Sequence, residues 1–214
     1  LVGSEMCIRD RAMKTGIAVT VTLACLIGCT LLLFAGWELI IIGALCVLFA
    51  FLYTTGPYPL SYNGWGDVLV IIFFGFVPVG GTYYVQALTW TPDVTIASFI
   101  CGLLIDTLLV VNNYRDREAD ARSGKRTVIV RFGEKFGRYF YLLLGISASL
   151  LCLYFLREGH IYAALLPQFY LVPHVLTWRR MVKIHSGKKL NSILGETSRN
   201  MLFMGILLAI GMIL

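Results

Sequence analysis

The chain has 214 residues, of which 58% are hydrophobic and only 14% are charged. A water-soluble domain of this length carries far more polar surface, so soluble enzymes and soluble binding modules are excluded and a polytopic membrane protein is implied. The net charge of +6 comes with no basic stretch interleaved with aromatics, so it reports membrane topology and not nucleic-acid binding. The six cysteines form no CxxC or Cys/His cluster, and most sit inside apolar runs, as small core or lipid-facing residues do.

In chain order, residues 1–12 (LVGSEMCIRDRA) match neither a signal peptide nor the apolar style of the rest of the chain. They read as a non-native lead-in, with the membrane domain over 13–214. Hydropathy then predicts an all-α bundle of seven membrane helices, at 16–36, 37–54, 67–89, 93–113, 138–156, 160–178 and 199–214. Each approaches the roughly 17–25 residues a bilayer needs, and a backbone crossing lipid must satisfy its own hydrogen bonds as a helix. Trp37, Tyr53, Trp65, Trp90, Tyr139 and Trp178 fall near predicted ends, as an aromatic belt does. Alternating crossings put the N-terminal tail and the loops 113–138 and 179–199 on one side, with nearly all the lysines and arginines. Arg157 is on the other. The positive-inside rule makes the basic side cytoplasmic.

The 54–66 loop is rich in proline and glycine and predicts a tight, irregular connector. Its tyrosines either close over a site or rest at the interface. The next helix carries Gly75, Pro78, Gly80 and Gly81, which allow close packing and a kink, or line a cavity. Asp106 lies within the fourth predicted helix, where a carboxylate is costly; it is read as protonated or paired inside the bundle. His160, His174 and His185 have no ligand spacing and read as interfacial. The 179–199 loop, ending Gly195-Glu196-Thr197-Ser198-Arg199, is basic and suits anionic lipid or an anionic substrate.

Charge of both signs concentrates at 112–127, directly after an apolar run. Asp116 and Asp120 are four apart, so on a helix they project from one face, roughly 6 Å apart along the axis. Two such carboxylates suit Mg2+, which takes a few protein oxygens and leaves positions for phosphate. Asn112 and Asn113, one turn earlier, can add amide oxygens. Lys125 and Arg126 come at the helix end, where cations reach a polyphosphate. The same residues also fit a solvated helix end laced with Asp–Arg pairs.

The run NNYRDREADARSGKRTVIVRFGEKFGR resembles the second aspartate-rich motif of the UbiA family of membrane prenyltransferases. The stretch TGPYPLSYNGWGDVLVIIFFGFVPVGGTYYVQ resembles the branch of that family that prenylates 1,4-dihydroxy-2-naphthoate in menaquinone biosynthesis. The resemblance runs from about residue 14 to 214. It implies nine transmembrane helices around a central cavity open sideways to lipid, in the inner (cytoplasmic) membrane, with two Asp-rich motifs facing the cytoplasm. The first, of NDxxDxxxD type, has no counterpart here; seven helices and a foreign-looking start fit a chain that has lost two helices and that motif.

Carried over by residue, Asn112, Asp116 and Asp120 would hold Mg2+. Lys125 and Arg126 would contact diphosphate oxygens, and Arg115 would pair with an acid or with the diphosphate. Tyr58, Tyr62, Tyr83 and Tyr84 would line the cavity and shield an allylic cation with their ring faces. The implied reaction moves a polyprenyl group from polyprenyl diphosphate to dihydroxynaphthoate with loss of CO2, giving demethylmenaquinone. Two alternatives stand beside it: another acceptor such as 4-hydroxybenzoate or homogentisate, and a transporter using Asp106 as a coupling carboxylate.

Overall fold

The structure, a computed structural model, describes residues 2–214, with side chains described from Arg11 onward. Seven helical rods and no strand occur among the described residues. They are α1 (Val2–Leu31), α2 (Glu38–Thr54), α3 (Gly66–Ala87), α4 (Pro92–Arg122), α5 (Val128–Leu156), α6 (161–184) and α7 (Lys188–Ile213). Residues Arg11–Leu31 of α1, together with α3, α4, α5 and α7, are long and apolar enough to cross a membrane. The 17-residue α2 is shorter, and α6 is broken by a 3-10 turn over Leu166–Tyr170 that contains Pro167. The expected all-α, multi-pass membrane architecture is what the chain forms.

Two compact units divide at Phe51. In the first, 1–51, α1 and α2 present Leu26, Ile27, Ile40 and Leu48 to the outside, and Ala35 is buried in the turn between them. The second, 52–214, is built on α4, which contributes eleven buried residues. One core cluster joins Ile100 and Leu104 of α4 to Phe155, Ala163, Tyr170 and Met204; another joins Val110, Val111 and Tyr114 to Ile129, Tyr141, Met181 and Ile193.

Glycines set the α3–α4 contact. A Cβ on Gly75 would lie 2.5 Å from the Ser98 carbonyl oxygen, and one on Gly102 would lie 2.9 Å from the Ile71 Cα. The two backbones therefore touch, as small residues permit between membrane helices. Ten residues of α3, Ile71–Gly80, are wound as a π-helix around Pro78. This wider winding frees backbone groups from the ring that Pro78 would otherwise clash with.

Helix ends differ from those that hydropathy marks. Instead of stopping at 113, α4 runs on to Arg122 and ends where Gly124 takes φ 77°. Its 31 residues span roughly 46 Å, against a hydrocarbon core of roughly 30 Å, so its polar end stands clear of the apolar layer. Likewise α5 begins at Val128, capped by the Thr127 hydroxyl, and the Gly195–Arg199 segment is helical within α7 and not a loop. Hydropathy reports where lipid ends; arginine, glutamate and alanine continue a helix past that point. His174 is also a correction. It is fully buried and not interfacial, stacked between Tyr141 and Tyr170 at ring-centroid distances of 4.7 and 5.0 Å. Its ring nitrogens meet the Tyr170 hydroxyl at 2.9 Å and the Leu142 carbonyl at 3.2 Å, so its polar atoms are satisfied within the core.

Candidate active site

The polar end of α4 carries Asn112, Asp116 and Asp120 at successive i, i+4 positions, so their side chains line one face. Arg115 threads through them. Its Nε donates to Asp116 Oδ1 at 2.7 Å and one terminal nitrogen donates to Asp116 Oδ2 at 2.5 Å, a two-pronged pair. That same nitrogen donates to Asn112 Oδ1 at 2.7 Å, and the other reaches Asn191 Oδ1 on α7 at 2.9 Å. One turn on, Lys125 Nζ pairs with Asp120 Oδ2 at 3.4 Å, while the Lys125 amide closes the helix on the Asp120 carbonyl at 2.9 Å.

The loop before α3 docks onto this turn. The Arg126 amide donates to the Tyr62 carbonyl at 2.7 Å, and the Arg131 guanidinium donates to the Asn63 carbonyl at 2.7 Å. Ser61 Oγ donates to the Tyr53 carbonyl at 2.6 Å, and the Asn63 amide group to the Pro59 carbonyl at 2.8 Å, so the loop is held at both ends. Gly64 sits at φ 82° with the Arg126 carbonyl 3.1 Å from where a Cβ would stand; both facts favour glycine there. Between loop and helix end lies a narrow cleft lined by Tyr53, Ser61, Asp67, Asn113, Lys125 and Thr127.

Behind the motif, Glu134 gathers side chains from α4, from its own helix α5 and from His185, the residue that follows α6. It accepts from the Tyr114 hydroxyl at 2.9 Å and from Arg138, and pairs with Arg117 at 3.4 Å and His185 at 2.8 Å. Arg117 also lies 4.6 Å over the Tyr114 ring. This cluster locks α4, α5 and α6 together under the candidate ligands. Sequence reasoning assigned Glu134 no role, because its partners lie 4 to 51 residues away and show no periodicity.

The oxygen set suits a divalent cation. Among the described residues no group of three His, Cys, Asp or Glu side chains is placed to hold a metal. What the chain offers instead is two carboxylates and an amide oxygen on one face. The Arg115 guanidinium already stands as a cation between Asn112 and Asp116, so these oxygens converge on positive charge. Hard oxygen donors with phosphate completing the shell are the Mg2+ pattern.

The predicted residues divide into two groups. Asn112, Arg115 and Asp116 share one network, and Asp120 joins Lys125. Arg126 contributes its amide to the loop that carries Tyr62. Tyr58 and Tyr62 are on the docked loop and exposed. Tyr83 and Tyr84 lie at the far end of α3, near the start of α4, roughly 40 Å along the helix axis from Asp116, so the fold does not bring them to the motif.

A helical bundle of this kind, with five helices long and apolar enough to cross a membrane among the described residues, is a multi-pass membrane protein. The chain belongs to the UbiA prenyltransferase family, whose profile matches residues 8–211. It is 38% identical over 152 residues to the 1,4-dihydroxy-2-naphthoate octaprenyltransferase of Escherichia coli (strain K12), covering 68% of this chain and 49% of that protein. It is 39% identical over 153 residues to the protein of the same name from Mycobacterium leprae (strain TN), covering 71% and 51%. A third relative of that name, from Haemophilus influenzae (strain ATCC 51907 / DSM 11121 / KW20 / Rd), is 40% identical over 111 residues, covering 52% and 36%. The chain thus spans about half the length, or less, of these curated relatives. No solved structure matches it.

Proposed function

We propose that the full-length protein transfers a polyprenyl group from polyprenyl diphosphate to 1,4-dihydroxy-2-naphthoate, with loss of CO2, in menaquinone biosynthesis. The observation that carries this is the docking of the loop before α3 on the Lys125–Thr127 turn, in a chain similar to three enzymes named for that acceptor. It brings the stretch that resembles the naphthoate branch against the stretch that resembles the diphosphate motif.

Asn112, Asp116 and Asp120 would hold the divalent ion, taken as Mg2+. When bound, that ion neutralises charge developing on the leaving diphosphate. Lys125 and Arg126 add fixed positive charge beside the same oxygens, which favours C–O cleavage over the ground state. Arg115, released from Asp116, turns its fork to phosphate oxygens, a geometry that guanidinium matches in two prongs. The apolar helices provide the phase in which the prenyl tail dissolves. In this reading the protein lies in the inner membrane with its Asp-rich end toward the cytoplasm, a side supported by the positive-inside rule for the basic segments.

The test is a radiolabelled prenyl-transfer assay on the full-length protein in membranes. Polyprenyl diphosphate is offered with dihydroxynaphthoate or 4-hydroxybenzoate, with Mg2+ or with chelator. Mg2+-dependent product from the naphthoate alone is expected. Product from 4-hydroxybenzoate alone would overturn the acceptor, and chelator-resistant product would overturn the metal assignment.

A further inference from the structure

Three carboxylate oxygens inside the bundle have no hydrogen-bond partner among the described residues: Oδ1 of Asp67 and both oxygens of Asp106. The two residues are 7% and 0% exposed. Their placement comes from the α3–α4 register. Gly66 packs against Leu109, Ile71 against Gly102, and Gly75 against Ser98. The residue numbers rise on one helix as they fall on the other, which sets Asp67 across from Asp106. Tyr53 lies within electrostatic range of both.

A buried acceptor with no donor costs roughly 1–3 kcal/mol, and more when charged, so such an atom in a functional membrane protein calls for an explanation. The two acids differ in access. Asp106 is enclosed by the bundle. Asp67 lines the cleft that Asn113, Lys125 and Thr127 also line. The cleft is narrow enough that it accepts a hydroxyl group and not a ring. A metal ion is a poor occupant, because the Lys125 ammonium lines the same space. A ligand that puts an O–H on Asp67 keeps its body outside and stands next to Lys125, at the diphosphate end of the site.

We infer that Asp67 is the residue that reads the aromatic acceptor: its carboxylate accepts a hydrogen bond from a ring hydroxyl and so fixes which ring carbon faces the allylic carbon. This rests on the acceptor reading above and adds to it the group responsible for selecting a hydroxylated ring. In the transfer, the C–O bond to diphosphate breaks and the ring carbon bonds to the prenyl carbon. The bond from that ring carbon to the carboxylate then breaks, releasing CO2. The hydroxyl proton moves toward Asp67 as the ring donates electron density. It returns to the ring oxygen as CO2 departs, so no proton is consumed overall.

The experiment compares the full-length wild type with Asp67→Asn in membranes, using dihydroxynaphthoate as substrate and a naphthoate lacking ring hydroxyls, which is unreactive, as a competitor whose Ki is set against the substrate KM. Binding of radiolabelled prenyl diphosphate with Mg2+ is measured separately as a fold control. Sites built to bond a substrate hydroxyl reject the analogue lacking it by large factors. The variant is expected to raise the acceptor KM and lower kcat, with kcat/KM down roughly 100-fold, while the KM for prenyl diphosphate stays within about twofold. Its preference for the hydroxylated ring should shrink in proportion. A variant with wild-type acceptor KM, kcat and preference would overturn the assignment of Asp67 alone. A wild type that prenylates no dihydroxynaphthoate would overturn the acceptor reading and this inference with it. If Asp67→Asn loses diphosphate binding, Asp67→Ser, smaller and neutral, is read by the same two criteria.

Discussion

Two pairs of acids occupy this bundle, and they are treated in opposite ways. Asp116 and Asp120, at the polar end of α4, each have a basic partner within 3.4 Å. Asp67 and Asp106, roughly 15 Å lower along the helix axis, have orphaned oxygens and no hydrogen-bonded basic partner among the described residues. The first pair is exposed enough for water and ligands to exchange with its partners. In the second, Asp106 is enclosed and Asp67 meets only the narrow cleft, so each missing bond remains missing until a donor enters. Partnered acids at a rim suit exchange of one cation for another; orphaned acids in a wall suit recognition of a donor.

The largest effect expected from breaking this contrast comes at Asp116. Asp116→Ala removes a metal ligand and frees Arg115, and full-length protein should lose roughly 1000-fold in transfer rate, the scale of removing a principal electrostatic stabiliser. Activity is measured at saturating Mg2+. A loss below tenfold would move Asp116 from the ligand set to the solvated helix end.

Next comes the contact that places Asp67 opposite Asp106. Gly75→Val puts a side chain where the Ser98 carbonyl and the Gly102 backbone stand. Overpacking of this kind costs about 1–3 kcal/mol, and here both neighbours are backbone and cannot rotate aside. Thermal unfolding in detergent should fall accordingly. An unchanged Tm would mean that α3 and α4 have room to separate and that the register is not fixed by these glycines.

How much of this is legible in the sequence depends on where the signal resides. The Asn112, Asp116, Asp120 face is readable because helical spacing is local, and so is the irregular 54–66 connector with its prolines and glycines. Asp67 is not. It comes just after Trp65-Gly66 and looks like the polar lip of a loop, and only the backbone approach of a helix 35 residues onward buries it. Burial of His174 is hidden for a similar reason: its cage is built by Tyr141 and Tyr170 from two helices, and Gly145 makes room for the ring. Glu134 is the third instance, a residue whose importance is a sum of partners that sequence distance conceals.

A smaller effect, of opposite sign to most core substitutions, is expected at Asp106. Asp106→Leu replaces an unbonded buried acid with an apolar side chain of comparable reach. Removing an unsatisfied buried polar group, where no partner is left behind, should stabilise the full-length protein by about 1–3 kcal/mol. Thermal unfolding in detergent measures this. Destabilisation by that amount would show that Asp106 has a bonded partner in the intact protein, and the contrast between the two pairs would then end at Asp67.

The smallest effect is at Arg115, and it bears on the rim pair. Its guanidinium holds Asp116 and Asn112 with good geometry, yet the pair is part-exposed, at 23% and 39% for the two side chains. Exposed ion pairs contribute at most about 1 kcal/mol, so a metal that must displace this one loses at most about fivefold in affinity. Arg115→Gln should therefore tighten Mg2+ binding to the full-length protein about threefold in the absence of diphosphate, read by isothermal titration. With prenyl diphosphate present the sign should reverse for that ligand, because the fork that was released to phosphate is gone. Tighter metal with weaker diphosphate identifies Arg115 as a placeholder that moves from one partner to the other. Weaker binding of both would instead make it a fixed scaffold, held by Asn191 on α7, that aligns Asn112 and Asp116 before any ligand arrives.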